Sequence, residues 1–593
     1  MRLNWFVKSS AAPSGGRRVL RAIGQTWHAS PFRRGVQALF FLLFLTLFFY
    51  VAWPYGGGDF AQVRQRKEII NSEFFLALDP LVSISAAIVH RAWVWSLSFA
   101  GVILVISVLV PRVFCGYFCP MGTMIDLFDW AVSNRIKWFR IHRPGWWRHL
   151  RYFVLIAVLV AACGGVMLSG YVAPIPVLTR GLQFMASPVQ TGMARGWNQV
   201  TPLNIWQMVS IGLFVLVLML GLLRSRFWCR YLCPTGAIFS LTNFLRLSER
   251  KVSSACIECG KCSKVCHFDG INDDYSTIGA NCAFCQTCGG VCPVGAISFA
   301  GRLTSVTVAG SAIIPAINVD LRPSKPTRGF SRRGFISGMA GAAVCGGLAA
   351  VGVRATHAKV LTPLLRPPGS LPEDAFLSLC VRCGECLRVC PGNLLQPVGL
   401  DQGLDRLWTP WANTDFAGCE PTCNNCGQVC PTGAIKALTL VAKKKSRMGL
   451  VELDEGVCRQ CQDGHDCEIT GSDGNPSLIC REVCLLAGYE AITFKRGASG
   501  LMPSVVEEQC VGCGLCQARC FRVNVAEKKL LIKPALRVQA GLELPVLVQR
   551  GAEKPPSTAP STTMDVPYSP DNTIELETAK PTPPYATTGR VGQ

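Results

Sequence analysis

Apolar residues gather along this chain in blocks that alternate with basic ones. Four runs, 36–53, 92–110, 152–169 and 205–223, each approach the ~20 residues a helix needs to cross roughly 30 Å of hydrocarbon. A buried core helix is the blander reading, but runs such as FFLLFLTLFFYVAW argue against it. Trp53, Trp93 and Trp95 stand at run ends, where interfacial aromatics sit. A fifth and weaker run, 335–353, is rich in Gly and Ala. Past residue 550 the pattern gives way to Pro, Ser and Thr, too poor in apolar residues to fold.

Charge sharpens this picture. All of the +22 net charge lies before residue 354, with 34 Lys and Arg against 12 Asp and Glu; the rest of the chain is balanced. Nucleic acid is the usual partner of so basic a half, but here apolar runs interrupt the basic clusters, as the positive-inside rule requires. The N-terminus and 112–151 (Arg112, Arg135, Lys137, Arg140, Arg143, Arg148, Arg151) read as cytoplasmic, and 170–204, with only Arg180 and Arg195, as external. The fifth run begins SRRGF, a twin-arginine export pattern placed in mid-chain, so the neutral half reads as a second protein joined behind the first. Thr356-His357-Ala358 is a weak match to a cleavage site.

The chain repeats itself. RVFCGYFCPMGTMIDLF follows the second run and RFWCRYLCPTGAIFSLT follows the fourth, each ending a helical hairpin in C-x-x-x-C-P-x-G. The pairs Cys115/Cys119 and Cys229/Cys233 would share the cytoplasmic face. Three readings stay open for them: four thiolates for one metal centre, redox-active thiols, or a purely structural role.

The other cysteines, out of 31, fall in tighter groups. CIECGKCSKVC and CAFCQTCGGVCP carry the C-x2-C-x2-C-x3-C spacing of bacterial ferredoxins. In that pattern three cysteines hold one [4Fe–4S] cluster and the fourth reaches the neighbouring one. Cys256, Cys259, Cys262 and Cys292 therefore form one expected set, and Cys282, Cys285, Cys288 and Cys266 the other. His267 stands where Pro is usual. Zinc is the competing reading, and the doubled spacing speaks against it. The neutral half adds Cys380, Cys383, Cys386 and Cys390; Cys510, Cys513, Cys516 and Cys520; and, with one extra residue, Cys419, Cys423, Cys426 and Cys430. A stretched group comprises Cys458, Cys461, Cys480 and Cys484. Cys163, Cys345 and Cys467 are left over as packing residues. No C-x-x-C-H haem motif, Walker motif or Rossmann glycine motif stands out.

On these residues the first half resembles NapH, the membrane ferredoxin of periplasmic nitrate reductase systems, and the second half NapG, its twin-arginine-exported four-cluster partner. MauN and MauM of methylamine utilisation are similar to the same two. The resemblance covers about residues 30–530 and departs from those systems in fusing the two into one chain. It implies a bacterial inner-membrane protein that oxidises quinol from the membrane pool and delivers electrons to a periplasmic redox enzyme or cytochrome, with about six [4Fe–4S] clusters and no nucleic acid. An assembly factor supplying electrons for maturation of a partner metalloenzyme is the alternative. It also implies crossed pairing in the exported half: Cys380, Cys383 and Cys386 with Cys520; Cys510, Cys513 and Cys516 with Cys390; Cys419, Cys423 and Cys426 with Cys484; Cys458, Cys461 and Cys480 with Cys430.

The expected fold is a polytopic α-helical membrane protein of about five spans, with α+β ferredoxin-like [4Fe–4S] domains on both sides. Its parts are a basic N-terminus (1–34), a four-helix membrane domain (35–225), a two-cluster domain (226–300), a basic linker (301–334), the fifth span (335–353), a four-cluster domain (359–533) and a disordered tail (534–593). His90 and Arg91, beside Trp93 and Trp95, are a candidate for the quinol head group, with simple anchoring as the rival reading. No haem ligands lie between the two faces, so quinol itself is expected to link them.

Overall fold

The computed structural model describes residues 25–540, apart from 53–58, 137, 140, 142–145, 196, 198–199, 201–202, 303–331, 358–362, 459, 461–466, 473 and 498–499. Trp53, Lys137, Arg140, Arg143, Ala358, Cys461, most of the linker and nearly all of the tail thus lie outside the described residues.

The helices that position the chemistry are α1 (Pro31–Leu45, continued by a π-helical turn Thr46–Val51), α2 (Pro80–His90), α3 (Ser96–Leu109), α4 (Pro120–Phe128), α5 (Leu150–Cys163), α6 (Pro174–Arg195), α7 (Ile205–Met219), α8 (Pro234–Thr242), α9 (Arg332–His357) and α10 (Glu373–Leu379). Three described helical stretches are long and apolar enough to cross a membrane: Pro31–Val51, Ile205–Leu222 and Arg333–Ala355. The other two expected spans are shorter than their apolar runs. α3 and α5 have 14 residues each, about 21 Å at 1.5 Å per residue. Gly164 and Gly165, the latter at φ +80°, stop α5 early. α3 still leaves Phe99, Val102, Val105 and Leu109 exposed along one side, as a lipid-facing helix does.

α9 packs along α5 in parallel. A Cβ on Gly338 would sit 2.5 Å from the Phe153 ring, one on Gly346 inside contact distance of the Ala157 carbonyl, and one on Gly164 2.8 Å from Ala350 Cβ. Small residues let the two backbones approach, as in membrane helix pairs. Gly346→Leu is therefore expected to cost about 1–3 kcal/mol by overpacking; a lower Tm in detergent, with Gly347→Leu as the control that has open space, checks this.

Among the described residues the sheets of the cysteine-rich parts are two-stranded and antiparallel: β1 (Ser248–Val252) with β2 (Ile297–Gly301), β3 (Leu395–Pro397) with β4 (Pro410–Ala412), β5 (Leu450–Leu453) with β10 (Leu536–Gln539), β6 (Glu468–Thr470) with β7 (Pro476–Leu478), and β8 (Ile492–Gly497) with β9 (Gly500–Val505). β10 corrects the expected boundary at 533: Leu536 is 2 % exposed and pairs with Leu453, so the fold runs on to residue 539.

The two cysteine-rich domains dock at opposite ends of α1. At its start the Ser30 and Thr287 hydroxyls lie 2.9 Å apart, the latter in the two-set domain. Near its end the Leu47 carbonyl accepts from Arg388 Nη1 at 3.2 Å, in the four-set domain. The segment expected to be an external loop contains α6, a 22-residue helix. α6 is a platform for the four-set domain: Thr179 Oγ1 donates to the Cys383 carbonyl (2.8 Å), Arg180 Nη1 to the Arg382 carbonyl (2.9 Å), and Asn393 Nδ2 to Thr191 Oγ1 (2.8 Å). Arg180, fully buried, also lies 3.9 Å over the Trp408 ring, a contact worth more when desolvated.

Candidate metal and electron-transfer sites

The repeated C-x-x-x-C-P segments fold as near-copies. Each begins with an arginine at positive φ, Arg112 (51°) or Arg226 (54°). A π-helical turn follows, Phe114–Phe118 or Trp228–Leu232. Cys119 and Cys233 then take almost the same backbone angles, φ −68°, ψ 114° and φ −64°, ψ 113°, before Pro120 and Pro234 start α4 and α8. Proline at the first helical position loses no hydrogen bond.

The copies lock together reciprocally. Arg112 Nη2 donates to the Gly236 carbonyl (3.0 Å), and Arg226 Nη2 to that of Gly122 (3.2 Å). The Phe114 and Phe239 rings stack at 5.5 Å. This pseudo-twofold brings Cys115, Cys119, Cys229 and Cys233 into one electrostatic neighbourhood. Burial pushes all four thiols up, Cys229 to about 12. Reactive thiols need the opposite shift, whereas a bound metal deprotonates its thiols outright. Of the three readings, the environment speaks against redox-active thiols.

Asp126, on α4, ties this centre to α1. Burial alone would raise its carboxyl, but Arg226, Arg34 and Arg33 hold it well below the usual carboxylate range. Arg226 Nε and Arg34 Nη1 each reach it at 2.6 Å. Only the charge pattern in RR and RxxC hinted at these partners; nothing in the spacing marked Asp126.

In the two-set domain Cys256, Cys259, Cys262 and Cys292 line one cavity. Cys266, Cys282, Cys285 and Cys288 lie in one another's field. This second set faces the four-cysteine centre. Tyr117, between Cys115 and Cys119, donates to the Phe284 carbonyl (2.9 Å), and Arg230 Nη2 to that of Cys266 (2.8 Å). His267, in the place of the usual Pro, is held neutral by burial, its pKa pushed down to about 3, and its Nδ1 lies 2.8 Å from Ser225 Oγ.

The four-set domain differs from the crossed pairing. Cys380, Cys383 and Cys386 share a cavity with Cys430, not Cys520. Cys419, Cys423 and Cys426 neighbour Cys390, not Cys484. Cys510, Cys513 and Cys516 neighbour Cys484. Cys458 and Cys480 share a cavity with Cys520 and with Cys467; Cys461 is outside the described residues. The physical reason is local. Each group pairs with the next in sequence, as two compact double-set units, rather than reaching across the domain. The units abut through a hydrogen bond from the Cys419 amide to the Cys513 carbonyl (2.7 Å). Cys430→Ser is accordingly expected to remove the spectroscopic signal of the Cys380 set, while Cys520→Ser leaves that signal in place; EPR of the two reduced variants checks the assignment.

Among the described residues no three Cys, His, Asp or Glu side chains close on a single metal ion, and the described cysteines are free thiols. One buried apolar core also runs from Cys119 and Cys233 to Phe376, Leu379, Cys380 and Cys383. Between them lies α2, whose capping Asp79 accepts from Thr235 Oγ1 at 2.9 Å and which packs on α10. His90 and Arg91 lie exposed at the α2–α3 turn, with Trp93 72 % exposed.

The chain is 33 % identical over 220 residues to the methylamine utilization ferredoxin-type protein MauM of Methylorubrum extorquens, covering 35 % of this chain and 91 % of that one. It is 34 % identical over 218 residues to the ferredoxin-type protein NapG of Escherichia coli, covering 35 % and 88 %. This chain belongs to the MauM/NapG family of ferredoxin-type proteins. A family model for a 4Fe-4S binding domain matches residues 92–141 and 206–253, the two copies of the repeat that carries the C-x-x-x-C-P cysteines. A third relative, the putative electron transport protein YccM of Escherichia coli, is 28 % identical over 239 residues, 38 % of this chain and 59 % of that protein. No solved structure matches.

Proposed function

We propose that this chain is a membrane-bound electron carrier, a NapH-like membrane half fused to a NapG-like exported half, that takes electrons from quinol and hands them to a periplasmic redox protein. The observation that carries this reading is the row of cysteine sets along one molecule. The two-set domain meets the four-cysteine centre through Tyr117 and Phe284. That centre shares a core with the Cys380 set, which borders the Cys426 set. Cys419 and Cys513 join the next pair, and Cys480 neighbours Cys516.

In each set the thiolates are the ligands, and iron–sulfur clusters held by them supply one-electron transfer. The protein's part is to fix the spacing, exclude water and keep the thiols apart from one another. Six sets take [4Fe–4S] clusters, and Cys115, Cys119, Cys229 and Cys233 hold a further iron–sulfur centre. With that centre between the domains, quinol need not shuttle between the faces; the chain itself bridges them. The unfavourable environment for free thiolates speaks against the assembly-factor reading that uses these cysteines for thiol exchange.

The two-set domain is cytoplasmic and the four-set domain periplasmic in this reading, supported by the charge break and by the parallel packing of α9 on α5. Alkaline phosphatase fused after residue 540 is expected to be active and after residue 300 inactive. Equal activity at both positions would place both domains on one side and remove the transmembrane role.

A further inference from the structure

The two C-x-x-x-C-P copies part company at one charged position. Aligning RVFCGYFCPMGTMIDLF with RFWCRYLCPTGAIFSLT puts Arg226 opposite Arg112 and Asp126 opposite Ser240. Asp126 holds the Arg226 side chain at both Nε (2.6 Å) and Nη2 (2.8 Å). In the other copy Ser240 Oγ donates to the Gly236 carbonyl (2.9 Å), the same oxygen that accepts from Arg112 Nη2. A hydroxyl thus stands where the first copy has a carboxylate. Arg112 Nη1 reaches the Asn281 carbonyl (3.3 Å), and its Nε, the atom that Asp126 holds in Arg226, has no partner.

Arg112 is fully buried, and its neighbour Arg151 is 4 % exposed. Arg151 donates to Asn281 Oδ1 (2.6 Å), the Arg230 carbonyl (3.2 Å) and the Tyr152 hydroxyl (3.1 Å), and its Nε is orphaned too. Two guanidiniums therefore meet on one asparagine, and neither forms an ion pair among the described residues. Asp79, another buried carboxyl of this region, accepts through Oδ1 from Thr235 Oγ1 and the Leu81 amide. A buried charge left without a counter-charge is strongly unfavourable, and more so the drier its surroundings. The groups placed to supply negative charge here are thiolates. Cys115 and Cys229 lie in the field of Arg112, and Asn281 directly precedes Cys282.

We propose that Arg112 is the counter-ion of the four-cysteine centre and raises its reduction potential. The inference rests on the iron–sulfur reading of Cys115, Cys119, Cys229 and Cys233 and names the residue that tunes that centre. Four thiolates outweigh the positive charge of an iron–sulfur core, so the loaded site is an anion, and net charge is one of the levers that set such potentials. Each one-electron reduction adds one negative charge and breaks no bond, and a cation held nearby favours the reduced form. Arg226 shares its charge with Asp126, whereas Ser240 leaves that of Arg112 to the centre. Arg112 acts through this field and through its carbonyl bonds, as a positioning residue.

The test is a redox titration of the full-length protein in detergent, read by EPR on the signal that is lost when Cys115 and Cys229 are both replaced. Arg112→Gln is expected to lower that midpoint potential by about 59 mV or more, the one-electron equivalent of a tenfold change in the reduction equilibrium. Ser240→Asp, which restores the carboxylate of the other copy and leaves Arg112 in place, is expected to shift it the same way. Arg112→Lys, which keeps the charge, is expected to stay nearer the wild-type value than Arg112→Gln. The Cys458 set, last in the row, should keep its potential in all three variants. An unmoved midpoint in either Arg112→Gln or Ser240→Asp would overturn the proposal, as would equal shifts in Arg112→Lys and Arg112→Gln, the mark of a purely structural role. If Arg112→Gln does not fold, Ser240→Asp decides. A wild-type protein with no signal from the four-cysteine centre would instead overturn the reading on which the inference rests.

Discussion

Replacing Cys115 and Cys229 together by Ser is expected to split the molecule into two electrically separate halves. Quinol should still reduce the four-set domain, the half that faces the periplasmic acceptor in the proposed function. It should no longer reduce the two-set domain, whose nearest set faces the altered centre through Tyr117 and Phe284. Iron content should fall by one centre, and the EPR signal of that centre should vanish while those of the six other sets remain. Both cysteines are half-buried among groups that hold the two repeats together, so folding must be followed in parallel. The Arg112 and Arg226 bonds to Gly236 and Gly122 do not involve the thiols, and a retained Tm would separate a lost relay from a lost fold. Normal reduction of both halves would reduce the four cysteines to structural residues.

The second large effect is expected at Asp126. It is the shared anion of Arg34, Arg226 and, at 3.4 Å, Arg33. Removing one partner of a buried ion pair costs about 3–5 kcal/mol, because the charge left behind is neither paired nor hydrated. Asp126→Asn should lower Tm strongly and loosen α1 from the C-x-x-x-C-P repeats. The sign of its pH dependence follows from the direction of the shift. The folded carboxyl ionises well below its unfolded counterpart, so its stabilisation is present above an unfolded pKa of about 3.9. It disappears only as pH falls through the lower, folded value. Between pH 5 and 8 the wild-type Tm should owe no slope to this group, and the gap to Asp126→Asn should stay constant. A gap that closes as pH drops from 7 to 5 would contradict the assignment.

The local parts of this molecule were legible from spacing, and the long-range parts were not. A C-x2-C-x2-C-x3-C run fixes three thiols within a short loop, so the gathering of Cys256, Cys259 and Cys262 with Cys292 follows from ferredoxin spacing. The duplicated RxxC-x-x-x-C-P-x-G likewise announced a pair of equivalent sites. Which distant group completes each set in the exported half depends on how the double-set units pack, and no spacing encodes that. Cys467 lies in a long insert and carries no motif, yet the fold brings it to Cys458 and Cys480. α6 escaped notice because its buried face carries Thr179, Arg180 and Gln183, the first two of which bond to carbonyls of another domain. α3 and α5 looked like full spans because hydropathy counts apolar residues, whereas helix length is set by stops such as Gly164 and Gly165.

Quinol electrons are expected to enter this chain and spread along its cysteine sets. Freeze-quenching the anaerobic, oxidised full-length protein after mixing with a quinol analogue, and recording EPR spectra over time, tests it most directly. Reduced iron–sulfur signals from both domains are expected. An unreduced protein under quinol, in a sample that dithionite reduces fully, would contradict it.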